Sequence, residues 1–490
     1  MKKKIVSTLL CTAMLVTMMA GCGGNNAANT STNSGNSSSA DTGSSDAAAT
    51  DEAAPATEAA ASDASASDEG KVLNIYCWNE EFKSRVTDHY PGYTEVDATT
   101  GTIGDVTVKW NITPNDDNAY QNNLDATLLK QADAAADDKI DIFLVEADYA
   151  LKYVDTDYTM AVSDLGITDS DLSKQYQYTK DIVTDSKGVQ KGTTWQATPG
   201  LFAYRRSIAK DVLGTDDPDA VQAQLSSWDK FNAVAEKASE KGYKMLSGYD
   251  DAYRVFSNNV SAPWVDSNNK IVIDDNIMKW VDQTKTFTEK GYNNKSSLWD
   301  NVWQADQGPK GNVFGFFYST WGINFTLLGN ALETPVKEGG KEEVGNGIYG
   351  DYAVCQGPQS YYWGGTWICA AAGTDNPNLI KEIMQTMTCD KDTEVQITKD
   401  TQDYTNTISG MNELANSNFK SDFLGGQNHI KLFAEAAPKI NMKNISAYDQ
   451  GLNEEFQKAM KDYFDGNVTK DKALDNFYKA ATEKYPNLTH

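Results

Sequence analysis

Histidine is scarce in this chain of 490 residues: only His89, His429 and His490 occur. Metal-dependent catalysis and histidine-based triads are therefore poorly supplied, and no GxSxG, HExxH or glycine-rich phosphate loop replaces them. Positive charge is also short. The 43 lysines and arginines face 69 acidic residues, a formal charge of −26, which disfavours contact with phosphate backbones and anionic lipid surfaces. Nucleic acid is thus not an expected partner. Beyond Cys22 the only cysteines are Cys77, Cys355, Cys369 and Cys389, with no CxxC or CxxxxC pair to mark a metal or redox motif. Buried free thiols are the expectation, although an exported chain could form a disulfide.

Long apolar runs are missing apart from Ile5 to Ala20, which follows Lys2, Lys3 and Lys4 and is broken by Ser7, Thr8, Thr12 and Thr17. It is too short and too polar for a comfortable membrane span and reads as an export signal, residues 1–21. The stretch ends in Met19-Ala20-Gly21-Cys22, which resembles the lipobox of bacterial lipoproteins. That resemblance implies a lipidated Cys22 as first mature residue, holding the protein to the outer face of the cytoplasmic membrane. Residues 22–70 are nearly all Gly, Asn, Ser, Ala, Thr and Asp with no aromatic residue. Such a segment buries too little surface to offset ordering entropy, so it is expected to be a disordered acidic tether.

Every Trp, Tyr and Phe lies beyond the tether, in a body of about 420 residues that suits one large or two medium domains. Val72 to Trp78 reads as a strand that breaks into Asn79-Glu80-Glu81, and Val106 to Ile112 as a second strand. Tyr120 to Ala136 has helical spacing, and Ile140 to Val145 is an apolar run leading to Glu146 and Asp148. Strand, helix, strand in this order implies a parallel α/β unit with ligand-facing residues at the strand ends, here Trp78, Asn79, Glu146 and Asp148. A second α/β region is expected after Pro199-Gly200, with a strand at Leu201–Tyr204, helices at Trp228–Lys241 and Asp275–Lys290, and a strand at Asn312–Tyr318. The stretch from Asn453 to Lys484 is predicted to be helical.

The order of Trp195-Gln196-Ala197-Thr198-Pro199-Gly200-Leu201-Phe202-Ala203-Tyr204-Arg205, Ser319-Thr320-Trp321-Gly322, Trp363-Gly364-Gly365-Thr366-Trp367 and Phe423-Leu424-Gly425-Gly426-Gln427-Asn428 resembles family 1 extracellular solute-binding proteins of ABC sugar importers. This group includes the maltose-binding proteins. The resemblance implies a bilobal periplasmic-binding-protein-like fold of type II, two α/β lobes joined by a hinge crossed near Thr198, at Trp363 to Thr366, and around Ile430. It divides the body into 71–197 and 364–430 for lobe 1, and 198–363 and 431–490 for lobe 2. It also implies a monomer that binds an oligosaccharide, needs no cofactor and hands its ligand to the membrane permease subunits of an importer.

A sugar presents hydroxyls and flat patches of CH groups, so a site for it needs aromatic faces and hydrogen-bonding groups. Trp78, Trp264, Trp321 and Trp363 are candidate platforms, whereas Trp195 and Trp367 are expected in the core. Glu80 and Asp148 are candidate acceptors, with Glu81, Glu146 and Asp155 as alternatives. Arg205 and Arg254 could donate through the planar guanidinium, or serve as structural ion pairs. Asn79, Gln196, Thr366, Gln427 and Asp449 complete the set, with Gly364 and Gly365 offering backbone amides unobstructed by a side chain. Two other classes share these features: a secreted glycoside hydrolase, which also works with paired carboxylates, and a cell-surface lipoprotein that holds polysaccharide without transport.

Overall fold

The computed structural model describes residues 70–490; the expected export signal, Cys22 and the expected tether fall outside the described residues. Nine strands occur in chain order: β1 (Val72–Cys77), β2 (Tyr93–Glu95), β3 (Thr100–Ile103), β4 (Val106–Ile112), β5 (Ile142–Glu146), β6 (Gly200–Arg205), β7 (Gly315–Ser319), β8 (Tyr352–Cys355) and β9 (Thr366–Ala370). They form a six-stranded sheet, β2-β3-β4-β1-β5-β9, and a three-stranded sheet, β7-β6-β8. Each sheet, with its helices, makes one lobe of a bilobal α/β structure.

In the larger sheet β1 runs parallel to both β4 and β5, while β9 closes the edge antiparallel to β5. The apolar run of β5 is unbroken because both its faces are covered. Ile142 and Leu144 pack with Leu73, Ile75, Ile368 and the helix Pro377–Thr388, whereas Phe143 and Val145 join Tyr120, Leu124 and Tyr153 on the other side. Successive side chains of a strand point to opposite faces, so one sequence run supplies both cores. The smaller sheet is antiparallel throughout, unlike the parallel arrangement of β1, β4 and β5.

The helix expected over residues 120–136 stops at Leu128 and gives way to two short 3₁₀ turns. Gln131 explains the break. Its side-chain amide donates to Ile140 O (2.7 Å) and accepts from Ile140 N (2.9 Å), so its backbone turns inward to clamp the entry to β5. At the other end of the chain, the single helical stretch resolves into two helices, Asp449–Phe464 and Lys470–Lys484, which pack on each other.

Three chain segments pass between the lobes, and they pair with one another. Residues 195–200 lie in the middle. On one side Trp363 N donates to Thr198 O (3.2 Å) and Gly200 N to Tyr361 O (2.7 Å); on the other Ala197 N donates to Tyr404 O (3.1 Å) and Asn406 N to Trp195 O (2.8 Å). Thr198 has φ +40, unusual for a β-branched residue, and its hydroxyl donates to Gly364 O at 2.9 Å. Gly365, at φ +107, leaves no room for a side chain: a Cβ would come within 3.0 Å of the Trp367 ring and 3.1 Å of Thr198 Oγ1. Gly365→Ala is therefore expected to lower the free energy of unfolding by about 1–3 kcal/mol, through backbone strain and overpacking, as measured by urea denaturation.

Candidate functional site

The parallel pairing of β1 and β5 brings their carboxyl ends to one edge, so Trp78 and the segment Glu146 to Tyr149 emerge side by side. Trp78 is half-buried, with its ring edge-on to Tyr120 (5.6 Å) and Tyr149 (6.3 Å). Asn79 Oδ1 accepts from the backbone of Glu81, while Glu80 stays exposed. Glu81 opens the helix Glu81–His89 and points toward the crossing segments.

There the amide of Gln196 donates to two carboxylates, Glu81 Oε1 and Asp403 Oδ2, each at 2.8 Å. Asp403 Oδ1 accepts from Thr320 Oγ1 (2.6 Å), which follows β7 in the second lobe. One glutamine thus links the first lobe, two crossing segments and the second lobe. Burial pushes the Glu81 carboxyl well above its usual range, and nearby Asp403 adds to that, against the pull of Arg85.

The second lobe contributes a cluster of aromatic rings, of which Trp363 is buried. Trp363 stacks on Tyr318 (5.7 Å, 15°), and Trp321 stands edge-on to Trp363 (5.3 Å, 71°) with its indole N–H donating to Trp363 O (2.9 Å). Trp299 lies nearly parallel to Trp321 (6.1 Å, 18°). Sequence reading missed Trp299; its position beside turn-forming Ser297 and Asp300 is the same signal that singled out the other tryptophans. The space that a Cβ on Gly364 would fill is taken by the Trp321 ring, so this glycine makes room for the cluster rather than for a ligand.

The lobes also touch directly. Asp148, just beyond β5, pairs through both carboxylate oxygens with the guanidinium of Arg254, on the second-lobe helix Tyr253–Ser257. Burial, and then the neighbouring Asp148, raises the Glu146 carboxyl well above its usual range. Asp449 is pushed up to about 7, chiefly by burial, with Ser446 as its hydrogen-bond partner. Beside the ion pair, a cavity of about 50 Å3 is lined by Ala147 and Leu151 from one lobe and Asn258, Tyr362 and Asp449 from the other. That volume holds a few waters, and the ion pair brings the two lobes together on this side.

Three candidates are engaged elsewhere, and a fourth is buried. Arg205 sits at the end of β6 away from the crossing segments and pairs with Asp351 (2.9 Å) and Gly311 O, an ion pair within the second lobe. Gln427 spends its amide on both backbone atoms of Val354, closing the edge of β8. Trp264 is packed against Phe456 and Phe477 with its N–H held by Asn453, leaving only an edge on the small cavity. Thr366 is buried where β9 begins, its carbonyl accepting from Thr194 Oγ1, and its side chain is a hydrogen-bond partner of Glu81, so it belongs to the Gln196 cluster. Trp195 and Trp367 are fully buried, and the four cysteines beyond Cys22 are buried free thiols.

A family model for bacterial extracellular solute-binding proteins matches residues 96–423, about two thirds of the chain. The chain belongs to this family. Among solved structures, the solute-binding protein is similar to an extracellular solute-binding protein family 1 member (TM-score 0.66, 15% identity, covering 84% of this chain and 99% of that one). It is also similar to the ABC-transporter-associated binding protein of Bifidobacterium animalis subsp. lactis in complex with β-1,6-galactobiose (TM-score 0.61, 14% identity, 86% and 99%). A third is the galacto-N-biose/lacto-N-biose I-binding protein of Bifidobacterium longum (TM-score 0.60, 14% identity, 86% and 98%). No curated protein matches the sequence. Family and fold are those of binding proteins. Among the described residues, no acidic, histidine or cysteine cluster could hold a metal ion, and no helix is long and apolar enough to cross a membrane.

The buried carboxyls of the solute-binding protein set a pH dependence. A carboxyl whose pKa is raised in the native state takes up a proton on folding, so its stabilisation is complete in acid and lost as pH rises through the native value. Native stability is expected to fall between about pH 4 and 7, with Asp250 and Asp251, each raised to about 6 by burial, sharing the slope with Asp449. Asp449→Asn should flatten the upper part of that slope and melt higher than wild type at pH 8, as followed by circular dichroism.

Proposed function

We propose that this protein is the lipid-anchored receptor of an ABC importer and closes its two lobes around a carbohydrate, an oligosaccharide rather than a single sugar. The observation that carries this reading is the wall of Trp321, Trp363 and Trp299 on the second lobe. It stands beside three paired crossing segments, which also carry the Gln196 contact to the first-lobe Glu81. Indole faces take the CH patches of sugar rings, and carboxylates accept from their hydroxyls. Glu81, Asp148, Gln196, Arg254, Trp78, Trp321 and Trp363 are the residues assigned to the ligand, with Asn79 and Glu80 at the rim and Asp449 behind Arg254. The sugars bound by the two bifidobacterial proteins support the ligand class.

Closure follows from the division of the site. Each lobe holds part of it, so only the closed form offers the ligand every contact. A ligand moves a balance from 1:99 to 99:1 only by binding the favoured form about 5.5 kcal/mol better. The permease subunits then read the closed shape. The first crossing lies at Thr198 and the second at 363–366, while the third belongs at 402–406 rather than around Ile430, because helix His429–Ala436 already packs on β6. Lobe 1 accordingly comprises residues 71–197 and 364 to about 402, and the remainder through 490 belongs to lobe 2. Cys22, after a signal of residues 1–21, carries the acyl chains, and the 22–70 tether gives reach.

Titration calorimetry of the mature protein against malto-, cello-, xylo- and galacto-oligosaccharides, with X-ray scattering of the same samples, tests the reading. Saturable binding with a fall in radius of gyration supports it. Hydrolysis products indicate a glycoside hydrolase, and binding of polymer with no preference for short chains indicates a surface lipoprotein. Trp321→Ala is expected to weaken affinity for the bound sugar by about tenfold or more, while melting changes little because this ring is only half-buried.

A further inference from the structure

Trp299 is the only tryptophan among the exposed large apolar residues in the described part of the chain, with 49% of its surface open to solvent. Two others in that set, Val302 and Phe325, lie on the segments that follow Trp299 and Trp321. Phe325 falls in a π-helical turn, Ile323–Leu327, a distortion found often at functional sites. Three of the nine exposed large apolar residues among the described residues thus lie on the segments that carry the aromatic wall.

The backbone of Trp299 has φ +72, a conformation that costs a bulky residue energy and that glycine would adopt freely. Its neighbours enforce it. Asp300 Oδ2 accepts from Ser297 N (2.8 Å), Asp300 Oδ1 accepts from Trp303 N (2.8 Å), and Trp299 O accepts from Gln304 Nε2 (3.0 Å), so the turn is fastened on both sides. The ring is fixed as well. It stands 5.1 Å from Trp303, whose own N–H is held by Asp251, and 6.0 Å from Trp363. A strained turn that keeps a large ring half in water, yet rigid, has no packing rationale; backbone strain held by its surroundings points to function. A flat face fixed in advance loses little freedom when a ligand stacks on it.

We propose that Trp299 stacks on a sugar unit beyond the one taken by Trp321, and so makes the site prefer longer chains to disaccharides. The proposal rests on the carbohydrate reading above but adds a separate claim about length. Trp321 lies close to the crossing segments, through Thr320 and Asp403, whereas Trp299 stands on its outer side with half its surface free. A chain lying along the wall meets Trp321 first and Trp299 next.

Calorimetry with chains of one to six units from the malto-, cello-, xylo- and galacto- series tests it on wild type, Trp299→Gly, Trp299→Tyr and Trp321→Ala. Wild-type affinity should rise with length beyond two units. Trp299→Gly should lose about tenfold for chains of three or more units and stay within about twofold for the disaccharide, whereas Trp321→Ala should lose at both lengths. Trp299→Tyr, which keeps a flat ring, should keep the length preference. If Trp299→Gly melts lower than wild type, Trp299→Leu, which fills space without a flat face, must show the same loss confined to long chains. Equal losses at all lengths, or none, overturn the role of Trp299 and leave the carbohydrate reading standing. Wild type that binds no member of any series overturns both.

Discussion

The pairing of three crossing segments, with residues 195–200 in the middle, is the constraint on which the rest of the structure depends. Each lobe has its own sheet, but these backbone hydrogen bonds decide where one lobe stands against the other. A ribbon of three short segments resists shear along its length yet can bend, because its hydrogen bonds run across the direction of bending. Gln196 fastens this ribbon to both lobes through Glu81, Asp403 and Thr320. Removing either carboxylate would leave a buried amide proton without a partner, a larger penalty than the loss of one hydrogen bond.

Around that ribbon the two lobes offer different chemistry. The first supplies carboxylates and Trp78 at the ends of parallel strands; the second supplies a wall of indoles from segments on either side of β7 and just before β9. The direct ion pair between Asp148 and Arg254 draws the lobes together at one side, where the remaining cavity is small. A buried ion pair contributes little net stability once desolvation is counted, yet breaking it is costly. Its effect is therefore on geometry: it fixes one approach of the lobes, and any ligand reaching this side must share or replace its contacts.

Much of the fold was legible in the sequence. β4 has the predicted bounds, and β1, β5 and β6 differ from prediction by one or two residues at an end, because unbroken or alternating apolar runs mark strands whatever they pair with. The hairpin β2–β3 and strands β8 and β9 were not predicted as strands; they are short, and β9 is assembled from residues that also suit a buried core. The site was legible only in part. Trp321 and Trp363 stand on one wall, and Asp148 and Arg254 meet, but Arg205, Gln427 and Trp264 are engaged by Asp351, Val354 and the Phe456–Phe477 pair. A side chain's type shows what it can bind, not which partner reaches it first.

What the sequence by itself determined is the set of local choices: apolar runs that must become buried strands, and amphipathic helices to cover them. These follow from composition and period over a few residues. What only the tertiary structure decided is which distant residues meet. Gln196 with Glu81 and Asp403, Asp148 with Arg254, and Trp299 with Trp321 and Trp363 are separated by 115, 207, 106, 22 and 64 positions respectively. No local pattern encodes such pairs, because they exist only once a lobe has folded or, for Gln196 and for Asp148 with Arg254, once the crossing segments have set one lobe against the other.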